Sequence, residues 1–262
     1  MTTLLRHHDT VVKTMNAAVT DPYFAAMPAD ATAVTRYAAV LRDAGVPLPG
    51  DLDVSDGTSG TEVRHAWVPG PTLLELPGWR SEELLAGVAS IARWIRALEH
   101  TDARLDANLA NFVIPDGGGV TCIDVLPALL ASRRPGGAGP WEQVIGSLCF
   151  DIDVTLCALA GYAARHLLRE LEPGPSAAAS VTDVLRVCPG HAAPDALASR
   201  WFHSRLLAAG MAAGGRLPVA DAEMLFSATS VRSLQMTPPS GRHQHADTAL
   251  TAVTAILGKG TS

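Results

Sequence analysis

Residues 104–124 read Arg-Leu-Asp-Ala-Asn-Leu-Ala-Asn-Phe-Val-Ile-Pro-Asp-Gly-Gly-Gly-Val-Thr-Cys-Ile-Asp, and this stretch decides the predicted fold. Two runs rich in apolar and β-branched residues, 112–114 and 120–123, flank a Pro-Asp-Gly-Gly-Gly turn. Short apolar runs joined by a glycine-containing loop are typical of a β-hairpin. Because the second strand of a hairpin returns beside the start of the first, we expect Asn111 and Asp124 to lie close together.

Three side chains of this stretch carry oxygen atoms suited to chemistry: Asp106, Asn111 and Asp124. Two hard oxygen ligands brought together by the hairpin suit Mg²⁺, which takes few protein ligands and keeps room for phosphates and water. Asp106 lies in the loop before the hairpin, where it can accept a proton from an attacking hydroxyl. The alternative is a turn aspartate, an asparagine that caps backbone groups and an aspartate at a strand end.

The spacing D-x4-N, followed by a hairpin that ends in Ile-Asp, resembles the catalytic and metal-binding segment of the aminoglycoside phosphotransferase family, which has the protein-kinase-like fold. The resemblance implies that Asp106 is the catalytic base and that Asn111 and Asp124 are the Mg²⁺ ligands. Arg104 stands two residues before the base, where the family usually has histidine.

Residues 3–14 predict a second, tight hairpin with His8 and Asp9 at its turn. Its second strand contains Val-Val-Lys13, which is similar to the family's nucleotide-binding strand, and the resemblance implies that Lys13 contacts the α- and β-phosphates. The alternative is a solvated lysine on an edge strand.

The amino-terminal part departs from the family in two ways. Only 12 residues precede Lys13 and they contain no G-x-G-x-x-G, whereas the family has a strand, a phosphate-covering loop and a second strand there. The first glutamate of the chain is Glu62, so the usual ion pair between the lysine and a glutamate of the next helix is expected to be absent or rebuilt. Both departures favour a weaker nucleotide site.

A helix is predicted over residues 30–43, with Asp30 as its N-cap. It ends at Ala-Gly-Val-Pro-Leu-Pro, residues 44–49, a glycine-then-proline stop that also resembles the end of the second helix in the same family. Two strands are expected next, near 52–54 and 62–68, with a turn at 56–60.

The segment Trp-Val-Pro-Gly-Pro-Thr-Leu at 67–73 resembles the family's hinge between lobes. The resemblance implies that the nucleotide base binds to backbone groups near this hinge, contributed by Arg64, His65, Ala66 and Trp67. The alternative is an ordinary Pro-Gly turn.

The clearest helix is predicted from Ser81, as its N-cap, to about Glu99. Its apolar residues recur every three or four positions: Leu84, Val88, Ile91, Ile95 and Leu98. A long helix directly before the catalytic loop is the order that the resemblance requires. Asp102 is a rival for the base, but no asparagine follows it five residues later, so Asp106 is preferred.

The last 120 or so residues predict helices, over 141–172 with a break near 149–153 and a stop at 173–175, and over 195–209, 219–235 and 245–257. Arg133 and Arg134 precede them in a flexible linker, where they either meet an anionic substrate or form a solvated basic pair. Asp151 and Asp153 either bind a basic substrate or cap a helix.

The composition bounds the class of protein. The chain has 262 residues, 48% of them hydrophobic and 18% charged, which is typical of a globular protein. A net charge of −6 argues against a nucleic-acid partner. No leader-like or membrane-length apolar run is present, and the four cysteines lack C-x-x-C spacing, so we expect a cytoplasmic protein with reduced thiols and no membrane partner.

The fold expected is α+β, a protein-kinase-like two-lobe arrangement. Residues 1–68 would form an abbreviated, sheet-containing lobe, and residues 69–262 a mainly helical lobe with the catalytic hairpin at 104–124. The function expected is transfer of the γ-phosphate of ATP or GTP, with Mg²⁺, to a hydroxyl of an antibiotic, a natural-product intermediate, or a serine or threonine of a biosynthetic peptide.

Two other functions stay open. The first is a pseudokinase that acts as a binding or scaffold subunit of a biosynthetic enzyme complex; in an intermediate case, a partner protein completes the abbreviated lobe of an active enzyme. The second is a purely helical binding protein whose motif arises by chance, which predicts no hairpin at 112–124.

Overall fold

A computed structural model describes residues 2–15, 21–27, 30–57, 60–172, 174–188 and 196–260. The chain is α+β, 60% helical, with a small antiparallel sheet and a mainly helical remainder. The predicted fold class is confirmed at this level. The described strands are β1 (Thr2–His7), β2 (Thr10–Met15), β3 (Asp53–Gly57), β4 (Gly60–Ala66), β5 (Phe112–Val113) and β6 (Thr121–Cys122).

The described α-helices are α1 (Pro22–Ala25), α2 (Ala31–Asp43), α3 (Ser81–Ala97), α4 (Pro140–Phe150), α5 (Ile152–Glu170), α6 (Pro175–Val187), α7 (Leu197–Ala213), α8 (Val219–Ala228), α9 (Val231–Met236) and α10 (Arg242–Lys259). Within the described residues, no single helix is both long and apolar enough to cross a bilayer, and only the bent pair α4 and α5, which meet at 89°, passes that test together.

The chain divides into two compact units. Unit 1 contains residues 1–75 and 93–135, and unit 2 contains residues 76–92 and 136–262. This division does not follow the expected boundary at residue 68, because the hairpin β5–β6 belongs to the same unit as the amino-terminal sheet.

The sheet of unit 1 has the order β1-β2-β4-β3 with all neighbours antiparallel. The predicted hairpin with His8 and Asp9 at its turn is confirmed, and His8 adopts a left-handed φ of 53° there. Alternate residues of β2 and β4 are buried, so the two strands present one buried face: Val11, Lys13, Met15, Thr61, Val63 and His65. The turn expected at 56–60 includes residues 58 and 59, which lie outside the described residues.

Helix α2 begins and ends as the sequence predicts. The Asp30 carboxylate accepts a hydrogen bond from the backbone N–H of Ala33 at 2.9 Å, which confirms Asp30 as the N-cap. The helix stops at Gly45, whose φ of +79° favours glycine, and the N–H of Val46 then bonds the Leu41 carbonyl at 3.0 Å. Tyr37 and Leu41 are among the core residues that it buries.

Helix α3 begins at Ser81 as predicted, but Ser81 does not have the predicted role of N-cap. Ser81 has helical backbone angles (φ −58°, ψ −32°) and continues directly from the 3₁₀ turn Gly78–Arg80, so Ser81 is not the N-cap. The apolar stripe is confirmed, because all five of its predicted members, from Leu84 to Leu98, are buried.

Unit 2 is helical in its described part. The predicted break near 149–153 falls at Asp151, between α4 and α5. The helix expected over 219–235 is two helices, because Ser230 caps α9 by accepting from the Ser233 N–H at 3.2 Å. Helix α6 was not predicted, since Pro173-Gly-Pro175 indicated only a stop; Pro173 itself lies outside the described residues, and Pro175 begins the helix as a favourable first-turn proline.

Candidate functional site

The hairpin at the centre of the sequence prediction forms in unit 1. Phe112 pairs with Cys122 in the antiparallel register of β5 and β6. The next link is the backbone N–H of Ile123, which donates to the carbonyl of Asn111 at 2.8 Å. This bond brings Asn111 beside the residue that precedes Asp124. The convergence expected from sequence is therefore confirmed, and the alternative of a purely helical protein without a hairpin at 112–124 is wrong.

Two connections hold this hairpin within unit 1. The N–H of Cys122 donates to the Pro47 carbonyl at 2.9 Å, and the N–H of Ile114 donates to the Pro71 carbonyl at 3.0 Å. Gly70 passes so close to Ile114 that a Cβ would collide with the Ile114 carbonyl oxygen, and its φ of +131° also favours glycine. The Pro-Gly segment after β4 is thus a tight backbone contact with the hairpin.

The loop before the hairpin fixes Asp106 and Asn111 against each other. One carboxylate oxygen of Asp106 accepts from the Asn108 N–H at 3.0 Å, and the other accepts from Asn111 Nδ2 at 2.9 Å. The amide of Asn111 is therefore oriented with its nitrogen towards Asp106. Among the described residues, no hydrogen bond engages Asn111 Oδ1, which is left available as a ligand.

Only one of the two carboxylate oxygens of Asp124 is engaged by other described residues. Its Oδ1 accepts from the Leu126 N–H at 3.3 Å and lies 3.2 Å from Lys13 Nζ. In the part of the chain that the structure describes, Oδ2 has no partner, and the side chain is 26% exposed. Two oxygens, one from Asn111 and one from Asp124, are thus open to a ligand such as a magnesium ion.

Lys13 is the cation of this cluster. It lies on β2, an interior strand between β1 and β4, and is only 5% exposed. Its ammonium donates to the Ile123 carbonyl at 2.6 Å in addition to its ion pair with Asp124. The alternative of a solvated lysine on an edge strand is therefore wrong.

The surroundings of Asp106 raise the pKa of its carboxyl group above the ordinary value. Desolvation by the surrounding protein is the main cause, and the charge of Asp124 acts in the same direction, against the hydrogen bonds from Asn108 and Asn111. The side chain nevertheless keeps exposed surface, so water reaches it and the desolvation is partial. An exposed carboxylate with a raised pKa is suited to accept a proton.

Arg104 ties the loop before the hairpin to the end of α3. Its Nη1 donates to three backbone carbonyls, those of Leu98, Thr101 and Ala103, at 3.0, 2.8 and 2.7 Å. A guanidinium that binds carbonyls at a helix carboxyl end is a favourable cap. The Tyr37 hydroxyl donates to the Arg104 carbonyl at 2.7 Å, which anchors the same loop to α2.

Asp102, the rival for the base, is fully engaged. It accepts from the N–H and the hydroxyl of Ser132 at 2.7 and 2.8 Å and pairs with Arg36 at 2.8 Å. Desolvation raises the pKa of Asp102, but the Ser132 hydrogen bonds and the charges of Arg36 and Arg104 outweigh it and lower that pKa. Asp102 is a structural residue that joins the loop to residues 131–133.

The expected base-binding segment is committed to the protein itself. The N–H of Ala66 donates to the Gly50 carbonyl at 3.0 Å, and the N–H of Trp67 donates to the Asp9 carbonyl at 2.7 Å. Arg64 is paired with Val12 and with Asp53 in the sheet. That a nucleobase binds near these backbone groups stays a prediction, and Ala66 and Trp67 would have to exchange partners to offer it their N–H groups.

His65 is the residue of this segment that faces the cluster, and sequence reasoning gave it only a backbone role. It is 3% exposed, and its pKa is lowered mainly by burial and further by the charge of Lys13. The signal was available in the alternation of β4, because Thr61, Val63 and His65 are spaced two apart like the buried side of a strand.

The other candidate residues divide. Arg133 lines an open cavity of about 280 Å³ together with Asp30 and Arg36, so it stays available for an anion. Asp151 precedes α5 without a side-chain capping bond. Across the described residues, no group of three or more histidine, cysteine, aspartate or glutamate side chains is arranged to hold a metal. A metal at the hairpin would therefore need the amide oxygen of Asn111.

No protein-family model and no curated protein sequence matches this chain.

Proposed function

We propose that this protein is a phosphotransferase that moves the γ-phosphate of ATP or GTP to an alcohol group. The acceptor is a hydroxyl of a small molecule, such as an antibiotic or a natural-product intermediate, or a serine or threonine of a biosynthetic peptide. The observation that carries the proposal is the cluster in unit 1, where exposed Asp106 lies beside Asn111, with its open Oδ1, and Asp124, with its open Oδ2. This combination resembles the active site of the aminoglycoside phosphotransferase family.

The residues present fit a magnesium ion by their chemistry. Asn111 Oδ1 and Asp124 Oδ2 are hard oxygen donors, and two protein ligands leave the remaining positions for water and phosphate oxygens. When bound, Mg²⁺ neutralises charge on the triphosphate. Lys13 adds a positive charge at the same place, since its ammonium already lies 3.2 Å from Asp124.

Asp106 would carry the proton transfer. The acceptor hydroxyl gives its proton to the Asp106 carboxylate while its oxygen forms a bond to the γ-phosphorus. The bond from that phosphorus to the bridging oxygen breaks, and the nucleoside diphosphate leaves with the electron pair. Because phosphoryl transfer depends mostly on positioning and electrostatics, one base, one lysine and two ligand oxygens are a sufficient set.

The first test is binding of Mg-ATP and Mg-GTP, measured by calorimetry. We expect saturable binding to the wild type, loss of it in Asp124→Ala, and nearly unchanged binding in Asp106→Ala. Asp116→Ala is the matched control, because it removes a carboxylate from the exposed turn of the same hairpin. Equal loss in Asp116→Ala and Asp124→Ala would contradict a specific metal ligand.

The second test is transfer itself. Products of neighbouring genes are incubated with the protein and nucleotide, and mass spectrometry follows addition of one phosphate. We expect Asp106→Ala to abolish the mass shift although it still binds nucleotide. Parallel loss of binding and transfer in that variant would contradict its role as base.

A pseudokinase is the second candidate, and specific contacts favour it. Lys13 is already bonded to Asp124 and Ile123, and the N–H groups of Ala66 and Trp67 are already bonded to backbone carbonyls. The turn between β1 and β2 has only two residues, so it offers no loop to cover phosphates. Under this alternative the protein is a binding or scaffold subunit, or a partner completes its lobe. If the wild type alone binds no nucleotide, the result would support a binding or scaffold subunit. If binding is regained when a partner protein is added, the result would support a lobe completed by that partner.

A further inference from the structure

His65 is a buried histidine with one nitrogen in use and one not. Its Nδ1 lies 2.8 Å from the carbonyl oxygen of Ala66, so Nδ1 carries the proton and donates it there. Burial is the main cause that lowers the pKa of His65, and a lowered pKa favours the neutral ring. Nε2 is therefore an acceptor, and it is buried without a hydrogen-bond partner among the described residues.

An unsatisfied buried acceptor is unfavourable, so its presence in a folded protein calls for a hydrogen-bond donor close to it. The candidates are the groups whose charges act on His65. Lys13 and Asp124 are the two that do so. Of these two groups only Lys13 can donate, because a carboxylate has no proton to give.

Lys13 has a donor to give. An ammonium carries three N–H groups, and two of those of Lys13 are used, by the Ile123 carbonyl and by Asp124. Lys13 and His65 also share the buried face of the sheet. Lys13 on β2 pairs with Val63 on β4, and His65 lies two residues after Val63 on β4. One strand thus presents an unused donor and its neighbour an unused acceptor.

We propose that His65 is the positioning residue for Lys13: its Nε2 accepts the third N–H of the ammonium, so that the ammonium is shared between the hairpin and the sheet. His65 then takes the place of the glutamate that would hold this lysine in the family that the chain resembles. The inference rests on the proposed function in one respect only, which is that Lys13 serves nucleotide phosphates.

The direct test uses the two lysines of the chain, Lys13 and Lys259. Protein labelled with ¹⁵N-lysine gives two side-chain signals, and Lys259→Arg identifies which one belongs to Lys13. We compare His65→Leu, which removes the acceptor, with His65→Gln, whose amide oxygen can reach the Nε2 position. We expect the Lys13 ammonium to exchange its protons about tenfold faster in the leucine variant, as for loss of one charge-assisted hydrogen bond, and to be restored in the glutamine variant. An unchanged Lys13 signal in His65→Leu overturns the inference.

Thermal unfolding and nucleotide affinity separate positioning from mere packing. Because leucine would leave a buried ammonium N–H of Lys13 without its acceptor, the melting temperature should recover in His65→Gln but fall in His65→Leu. Its Mg-nucleotide affinity should fall about tenfold, again with rescue by glutamine. Lower stability with unchanged Lys13 exchange means a packing role and overturns the inference.

Failure of the proposed function has a different pattern. If the wild type binds no nucleotide but Lys13 exchange still responds to His65→Leu, the phosphotransferase proposal fails and the positioning role stands. If leucine prevents folding, His65→Asn replaces it, because its shorter amide can still bond Ala66 but cannot reach the Nε2 position. The asparagine and glutamine variants are then compared by the same exchange measurement, and equal exchange in the two overturns the inference.

Discussion

Two carboxylates of this protein lie beside cations, but they differ in how many of their hydrogen-bond acceptor positions are filled. Glu223 of unit 2 is saturated: Arg165 and Arg169 each donate to both of its oxygens, at 2.7 to 3.2 Å. Burial pushes its pKa upward, but the two guanidinium groups outweigh this effect and lower the pKa to about 2. Asp124 of unit 1 has one cation, Lys13, and one oxygen without a partner among the described residues.

The difference separates a carboxylate whose acceptor positions are all filled from one that keeps an oxygen open. Two planar, bidentate arginines fill every acceptor site of a carboxylate and leave nothing for a metal. A single lysine on one oxygen holds the carboxylate in place and leaves the other oxygen free. Unfilled hydrogen-bonding capacity, rather than the number of charges, is therefore the feature that marks the candidate site.

The largest effect is expected at the Lys13–Asp124 pair. Removing Asp124 leaves a buried ammonium with only the Ile123 carbonyl, so Asp124→Ala should lower the free energy of unfolding by roughly 3 kcal/mol. Lys13→Met should cost less, because Asp124 is partly exposed and can be hydrated. The double variant should regain part of the loss. Urea unfolding of the four proteins gives the coupling energy of the pair, which we expect at about 1–3 kcal/mol.

The matched control is the other lysine. Lys259 pairs with Asp221 at 3.1 Å, but its side chain is 56% exposed. The same cycle with Lys259→Met and Asp221→Ala should give a coupling energy of about 0.5 kcal/mol or less. Similar coupling energies for the two pairs would show that burial of Lys13 has no energetic consequence and would break the comparison.

Glu223→Gln is expected to have an intermediate effect that depends on pH. The folded-state pKa is about 2 against an ordinary value of 4.5, so the stabilisation is fully present above 4.5 and is lost as the pH falls towards 2. Since Arg169 is more than half exposed, solvent screening reduces the effect to roughly 1–2 kcal/mol at pH 7. Thermal unfolding of both proteins at pH 7 and pH 3 checks this, and a difference that stays constant with pH would be the contrary result.

Local patterns predicted much of the fold. Alternation with turn residues gave both hairpins, and the cap at Asp30 with the stop at Gly45 gave α2, because these signals act over a few residues. The start of α3 at Ser81 is confirmed, but the N-cap role predicted for Ser81 is wrong, since the preceding 3₁₀ turn Gly78–Arg80 runs directly into the helix. Helix α6 was not predicted, because a Pro-Gly-Pro pattern indicates the end of a helix and does not show that its second proline begins another.

The residues of the candidate site could be predicted from the sequence, but the hydrogen bonds and ion pairs that connect them could not. Two short apolar runs around a glycine-rich turn predicted the hairpin, and the hairpin in turn predicted that Asn111 and Asp124 lie close together. The bond from Lys13 to residues 123 and 124 joins positions 110 residues apart, which no local pattern encodes. The role of Arg104 as a cap and the unpaired Nε2 of His65 likewise depend on tertiary packing.

The smallest effect on stability is expected at Asp106. Substitution of this residue is also the sharpest test of its hydrogen bond with Asn111. The raised pKa means that ionisation of Asp106 opposes folding, so its contribution to stability is present below the unfolded pKa and is lost as the pH rises through the folded one. Between pH 4 and pH 7 the free energy of unfolding of Asp106→Asn should therefore rise relative to that of the wild type, by about 0.5 kcal/mol or less at this exposed site. Chemical unfolding at the two pH values measures this gain.

The same variant tests how Asn111 is oriented. An asparagine at position 106 can meet Asn111 Nδ2 with a second N–H, and the way to avoid two opposed donors is for the Asn111 amide to turn its oxygen inward. That oxygen is then no longer open to Mg²⁺, so Asp106→Asn should weaken Mg²⁺ binding in the presence of nucleotide more than Asp106→Ala does. Calorimetric titration of Mg²⁺ into the three proteins decides the order. If the alanine variant loses more affinity than the asparagine variant, the orienting hydrogen bond from Asn111 to Asp106 does not set the metal site, and the open oxygen of Asn111 loses its significance.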